Sequence, residues 1–193
     1  MTKQRGEGSP NAEGFPNTEG FPNTERGGSP HPPRRKRDGS GEPPPKTQAK
    51  PPRRLTGRPV VPGAADGTAL VTAEPLSFWG GLNTATGEIV DRRHERSGQI
   101  VTGRIFVLPR GRGSSTASAC LLESIRAGTA PAAIITARTE PVLALGSIIA
   151  DELYARSVPM VVLPDEAFRS IHDGDRVTID PDGTVTVNAP DEA

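Results

Sequence analysis

The chain has 193 residues, with 23 basic and 23 acidic side chains and one cysteine, Cys120. A single cysteine excludes a disulfide framework and any metal or iron–sulfur site built from cysteines of this chain alone. Residues 1–54 carry 11 basic and 6 acidic side chains, while residues 55–193 carry 12 and 17. The foldable part is therefore acidic and lacks the clustered cations that a nucleic-acid-binding domain needs.

Residues 1–62 hold 13 of the 21 prolines and only Phe15, Phe21, Leu55, Val60 and Val61 from the set Leu, Ile, Val and Phe. Such a composition buries too little apolar area to offset its ordering entropy. Residues 1–65 are accordingly expected to be a disordered Pro/Gly-rich basic tail, dispensable up to about Pro62. Inside it, a six-residue repeat runs through Ser9–Gly14, Phe15–Gly20 and Phe21–Arg26, with Pro at each second position. That period is far below a solenoid unit, so it reads as a low-complexity linker. The cluster Arg34–Arg37 reads as a solvated charge run or as a weak contact for nucleic acid or an acidic partner. No apolar run reaches the roughly 18–20 residues of a membrane span. Met1–Pro10 has no apolar core of a secretory signal. The expected compartment is the cytoplasm.

From Thr68 onward, short apolar runs alternate with turn signals. Ala69–Thr72 is predicted as a strand, Trp79–Gly87 as a loop and Glu88–Val90 as a short strand. Arg104–Leu108 is a β-branched and aromatic run closed by Pro109. A loop Arg110–Ser115 follows, then a helix through Ala119, Leu121, Leu122 and Ile125 that ends at Gly128. Ala132–Ile135 is a buried strand, and Glu140-Pro141 opens a second helix through Leu145 and Leu153. Val158–Leu163 is a third buried strand. Asp165–Ile171 is a short helix with Asp165 as its N-cap. Asp175–Ile179 and Thr184–Val187 form a hairpin around Pro181-Asp-Gly183. Buried strands alternating with helices indicate a parallel sheet with crossover helices. The amphipathic outer strands add an antiparallel or barrel-like layer. The fold class is α/β, with one domain over residues 66–190.

The densest chemical signal is Leu108–Ser118. A strand ends, a glycine-rich turn follows, and a helix begins at the serines. Free N–H groups and the positive end of the helix dipole meet two glycines and the cations Arg110 and Arg112, which together make an anion cradle. Gly111-Arg-Gly113-Ser-Ser-Thr116 has Thr where a dinucleotide fingerprint needs its third Gly, and no Gly-Lys-Ser/Thr follows. Ser114 or Ser115 as a simple helix cap is the plainer alternative. A serine hydrolase would need His94 or His172 as base, and neither stands at a diagnostic spacing. Cys120, between Ala119 and Leu121, reads as core packing. Trp79, before Gly80-Gly81, reads either as a partner contact or as core.

Three stretches resemble the small subunit, or swivel domain, of aconitase X: Trp79–Asn83 with Thr86–Asp91, His94 and Ser97-Gly-Gln; Val107–Ser118; and Gly128–Ala133. Leu143–Tyr154 and Val158–Val162 match as well, so the resemblance runs over residues 68–188. It implies a swivelling β/β/α domain that pairs, as a heterodimer or higher assembly, with a larger catalytic subunit. That subunit would carry an iron–sulfur cluster or iron, and this chain would bind none. It implies a hydro-lyase reaction on a small hydroxy acid. By its Gly-Ser-Ser loop, Ser114 is the base, working as an alkoxide, and Ser115 helps hold the substrate; Arg110, Arg112 and Gly113 of the cradle are the other expected substrate-binding residues. Ala117 departs from the usual glycine and Cys120 from the usual aliphatic residue. The family's two known substrates are cis-3-hydroxy-L-proline, which the Arg/Ala/Gly/Pro-rich composition favours, and mevalonate 5-phosphate. A stand-alone anion-binding or regulatory module is the alternative.

Overall fold

The β-branched runs become the centre of one sheet. The computed structural model describes residues 51–113 and 115–189. β1 (Arg53–Thr56), β2 (Arg58–Val61) and β3 (Ala65–Val71) precede the short, kinked α1 (Phe78–Gly81). β4 (Ile105–Leu108), α2 (Thr116–Ala127), β5 (Ala133–Thr136), α3 (Pro141–Tyr154) and β6 (Met160–Val162) form two successive β-α-β units. α4 (Asp165–Arg169), β7 (Arg176–Ile179) and β8 (Thr184–Asn188) complete the fold. The strand order is β1-β8-β7-β3-β4-β5-β6-β2. β3, β4, β5 and β6 are parallel, and every other pairing is antiparallel.

β4 and β5 are buried at every position, because the central sheet is covered on both faces. Phe106, Leu108, Ile134 and Met160 point to one core with Leu121 and Ile125 of α2 and Leu143 and Ala144 of α3. Ile105, Val107, Ile135 and Val161 point to the other, where Val177, Ile179, Val185 and Val187 of the hairpin meet them. Fully burying a side chain of this size contributes about 1.5–3 kcal/mol. The result is a helix layer on a curled sheet, the β/β/α order expected from the sequence.

Residues 53–61, assigned by composition to the tail, are strands, which corrects the boundary at residue 65. β1 alternates half-buried and exposed positions and pairs residue by residue with β8 from Arg53↔Val187 to Thr56↔Thr184. Val61, on β2, is buried. The backbone ladder supplies what the sparse apolar composition does not. β1 and β2 stand at opposite ends of the strand order, yet only Gly57 separates them. That one residue draws the two edges together. Its N–H donates to Gly183 O at 3.0 Å. A Cβ on Gly57 would lie 2.3 Å from Val161 Cγ1 and 2.9 Å from Leu163 Cδ2. The expected disorder, the six-residue repeat and the Arg34–Arg37 cluster fall within residues 1–50, outside the described residues.

Smaller differences have local causes. β3 starts at Ala65 because its antiparallel pairing with β7 runs from Ala65↔Ile179 to Thr68↔Arg176. Glu88–Val90 makes only isolated bridges, Leu82↔Ile89 and Glu88↔Ile100. Pro164, not Asp165, holds the N-cap position of α4, and the Asp165 carboxylate binds Arg138 instead. Gly128 ends α2, with its N–H donating to Ile125 O at 3.2 Å.

Candidate functional site

β4 ends at Leu108 and the chain turns through Arg110–Ser115 into α2. The long β3–β4 connection, residues 72–104, holds this turn in place. It sinks Leu76, Phe78, Leu82, Ile89 and Val101 into the helix-side core and then pairs with the turn. Leu76 bridges Gly111, and Leu76 O accepts the Arg112 N–H at 2.9 Å. Asp91 Oδ2 takes Arg112 Nη2 at 3.3 Å. From the other side, the Glu140 carboxylate, just before α3, accepts the Gly111 N–H. Burial pushes the Glu140 carboxyl above the usual carboxylate range, opposed by that N–H and by the Arg110 guanidinium. Gly113 has φ +130°, a region costly for side chains, and a Cβ there would come within 2.9 Å of Ser77 Oγ.

Ser114 lies outside the described residues. Ser115 occupies the N-cap position of α2, but its side chain makes no cap hydrogen bond. Its carbonyl accepts the Ser118 hydroxyl at 2.6 Å and the Ser118 N–H at 3.2 Å. The simple-cap alternative therefore does not describe Ser115, whose hydroxyl stays at the surface.

Arg110 and Arg112, two residues apart, face different spaces. Arg112 lines a cavity of about 380 Å³ with Glu74, Asp91, Arg93 and His94. It also lines one of about 500 Å³ with Ser77, Trp79, Gly81 and Gly113. Arg110 lines a cleft of about 280 Å³ with Arg138 and Arg169. Trp79 is 62% exposed at the rim of the first group, whereas Phe78 beside it is buried against Phe106 with ring centroids 6.3 Å apart. The two aromatic neighbours divide the alternatives between them, Phe78 in the core and Trp79 at the surface.

His94 is 4% exposed. Its Nδ1 accepts the Arg96 N–H at 3.1 Å, which puts the ring proton on Nε2, 3.3 Å from Thr72 Oγ1. Both ring nitrogens are thus engaged, by Arg96 and by Thr72. His172 is exposed on the turn before β7, beside Asp175. A Ser–His pair of the hydrolase kind finds no support in either position. Asp91 and Glu140 are the site residues that sequence reasoning left without a role. Asp91 stood within the recognised motif, but a lone carboxylate at a remote position carries no signal of its arginine partner.

The sequence matches the family of the aconitase X swivel domain over residues 54–187. The chain belongs to that family. Among solved structures, the swivel domain resembles aconitase X of Thermococcus kodakaraensis in its holo form, with a TM-score of 0.64 and 35% identity, covering 70% of this chain and 98% of that one. It is 46% identical over 106 residues to cis-3-hydroxy-L-proline dehydratase of Pseudomonas aeruginosa, covering 55% of this chain and 18% of that protein. It is 38% identical over 133 residues to the phosphomevalonate dehydratase small subunit of Methanothrix thermoacetophila, covering 65% of this chain and 93% of that protein. The chain thus spans under a fifth of the dehydratase from Pseudomonas but nearly all of the archaeal subunit.

The described residues of the swivel domain offer no ligand set for an iron or iron–sulfur group. Among the described residues, no three His, Cys, Asp or Glu side chains come together as a ligand set. Cys120 is half-buried against the helix-side core, and burial pushes its thiol up, away from the thiolate a metal needs. Among the described residues, no helix is long and apolar enough to cross a membrane.

Proposed function

We propose that this swivel domain is the small subunit of an aconitase X-type hydro-lyase, inactive alone, that brings the Gly113-Ser114-Ser115 turn to a hydroxy acid held by a larger, iron-bearing subunit. The observation that carries the reading is the turn itself. Leu76, Asp91 and Glu140 fix it from three sides, and it opens into cavities walled by Arg112. A preorganised turn costs no reorganisation when charge develops at it.

In this reading, Ser114 acts as an alkoxide and takes the proton from the carbon next to the substrate carboxylate. The electron pair left on that carbon forms the new carbon–carbon double bond as the C–OH bond breaks; the departing hydroxide takes a proton from an acid on the larger subunit and leaves as water, and Ser114 returns its own proton to solvent to restore the alkoxide. The twelve-residue α2 presents its N-terminus to the alkoxide and lowers the cost of its charge. Arg112 and Ser115 hold the substrate carboxylate. Gly113 keeps the backbone close because nothing larger fits beside Ser77. Exposed Trp79 and the outer face of α3, with Leu145, Ile148 and Leu153, supply the apolar surface that a larger subunit would cover. A stand-alone module would leave that surface in water.

The test is reconstitution with the larger subunit and assay on cis-3-hydroxy-L-proline and on mevalonate 5-phosphate. Ser114→Ala is expected to lower kcat by about 10²–10⁴-fold without weakening assembly. Unchanged turnover removes the role assigned to Ser114. Turnover by the isolated chain removes the subunit reading.

A further inference from the structure

The cleft that holds Arg110 differs in kind from the cavities around Arg112. Pro109 and Arg110 follow β4, Ala137 and Arg138 follow β5, and Asp165, Phe168 and Arg169 belong to α4, which follows β6. The cleft therefore lies across the carboxyl ends of three neighbouring parallel strands, the place where open α/β sheets take their ligands. Three guanidinium groups line it against one carboxylate. That carboxylate is already engaged. Asp165 grips Arg138 through two contacts, Nη1–Oδ1 at 3.1 Å and Nη2–Oδ2 at 3.3 Å, which fixes the Arg138 plane. Among the described residues, neither Arg169 nor Arg110 forms an ion pair. The charge left over is positive. Half-buried Phe168, packed on the hairpin-side core, gives the cleft a firm wall.

We propose that this cleft binds a phosphoryl dianion, with Arg110 and Arg169 as its donors and Arg138 held ready by Asp165. Guanidinium groups match phosphate oxygens in planar pairs of hydrogen bonds and outbid a single carboxylate when several converge. A volume of about 280 Å³ suits a phosphorylated small molecule rather than a protein segment. The phosphoryl group belongs either to the substrate of the turn at Gly113 or to a separate effector, and both present the same chemistry. Binding does not depend on the hydro-lyase reading, because it is read without turnover.

The full chain is titrated with inorganic phosphate by calorimetry at constant ionic strength, with acetate as the competing anion. Phosphate is expected to bind more tightly than acetate. Arg169→Gln and Arg110→Gln are each expected to weaken it about tenfold or more, with their thermal transitions kept. Arg126→Gln, on the outer side of α2, leaves it unchanged. Absence of phosphate binding, or equal binding by Arg169→Gln, overturns the proposal, including the case in which the arginines serve only an acidic partner surface. In the reconstituted complex, phosphate that raises KM alone identifies the substrate's own phosphoryl group. Phosphate that changes kcat identifies an effector. Both place a phosphoryl group in the cleft. Dehydratase turnover without phosphate binding would leave the hydro-lyase reading standing and remove this one.

Discussion

The Thr72 hydroxyl uses all its hydrogen-bonding capacity. It accepts from His94 Nε2 at 3.3 Å and from the Glu74 N–H at 3.1 Å, and it donates to Glu95 Oε1 at 2.6 Å. The same carboxylate oxygen accepts the N–H groups of Ala73 and Glu74. The Thr72 hydroxyl, those N–H groups and Arg96 hold the Glu95 carboxyl below the usual carboxylate range, against a smaller opposing effect of burial. A depressed folded-state pKa adds stability that is present above the ordinary glutamate value, about 4.3, and is lost as pH falls through the folded value. Glu95→Gln should therefore unfold more easily than the parent at pH 7, by about 1 kcal/mol because the site is exposed and screened. Denaturant titrations at pH 7 and at about pH 3 should show that gap closing in acid. A gap that stays constant would mean that packing, not charge, is what the substitution removes. The network pins the start of the β3–β4 connection, which carries Leu76 and Asp91 to the glycine-serine turn.

Helices α2 and α3 cross at glycine. A Cβ on Gly146 would lie 2.4 Å from the carbonyl oxygen of Ser118. Helix propensity favours Ala over Gly by about 1 kcal/mol, but a backbone atom cannot rotate away, so the helices must part. Gly146→Ala is expected to lose about 1–3 kcal/mol in spite of its better propensity, as a thermal melt would show. Higher stability in the variant would mean that the two helices slide freely. The Leu143–Tyr154 periodicity made this helix legible in the sequence, and Pro141 at its first turn fixed its start. The crossing partner of Gly146 was not legible, because a glycine inside a helix looks the same whether it meets solvent or another backbone. The N-cap of α4 departs from the residue-type expectation for a related reason. Asp165 suits a cap by residue type, yet Arg138, 27 positions away in sequence, takes the carboxylate.

The eight strands curl until β1 and β2, joined through Gly57, connect the two ends of the order. A chain beginning at Pro51 keeps both strands and is expected to melt with the full-length protein. A chain beginning at Gly63 loses the ladders β1–β8 and β2–β6 together, and its melting midpoint should fall by about 10 °C or more. Equal midpoints for the two truncations would show that closure adds nothing. The same curl sends alternate residues of β4 and β5 to two different cores, which is why these strands read as continuous apolar runs in the sequence.

Local chemistry determined what the sequence could show by itself. The buried strands, the two crossover helices, the β7–β8 hairpin and the glycine-serine turn all follow from patterns a few residues long, and the family resemblance rested on those same patterns. Three things were decided only in three dimensions. Residues 53–61 became strands because distant backbones offered them partners. Arg110 and Arg112 parted into separate spaces because Leu76 and Asp91 claim the chain between and beside them. Arg138 and Arg169 came to Arg110 because parallel strands end on the same side of a sheet. Each depends on contacts between residues far apart in the chain, and no local pattern encodes which distant group will arrive.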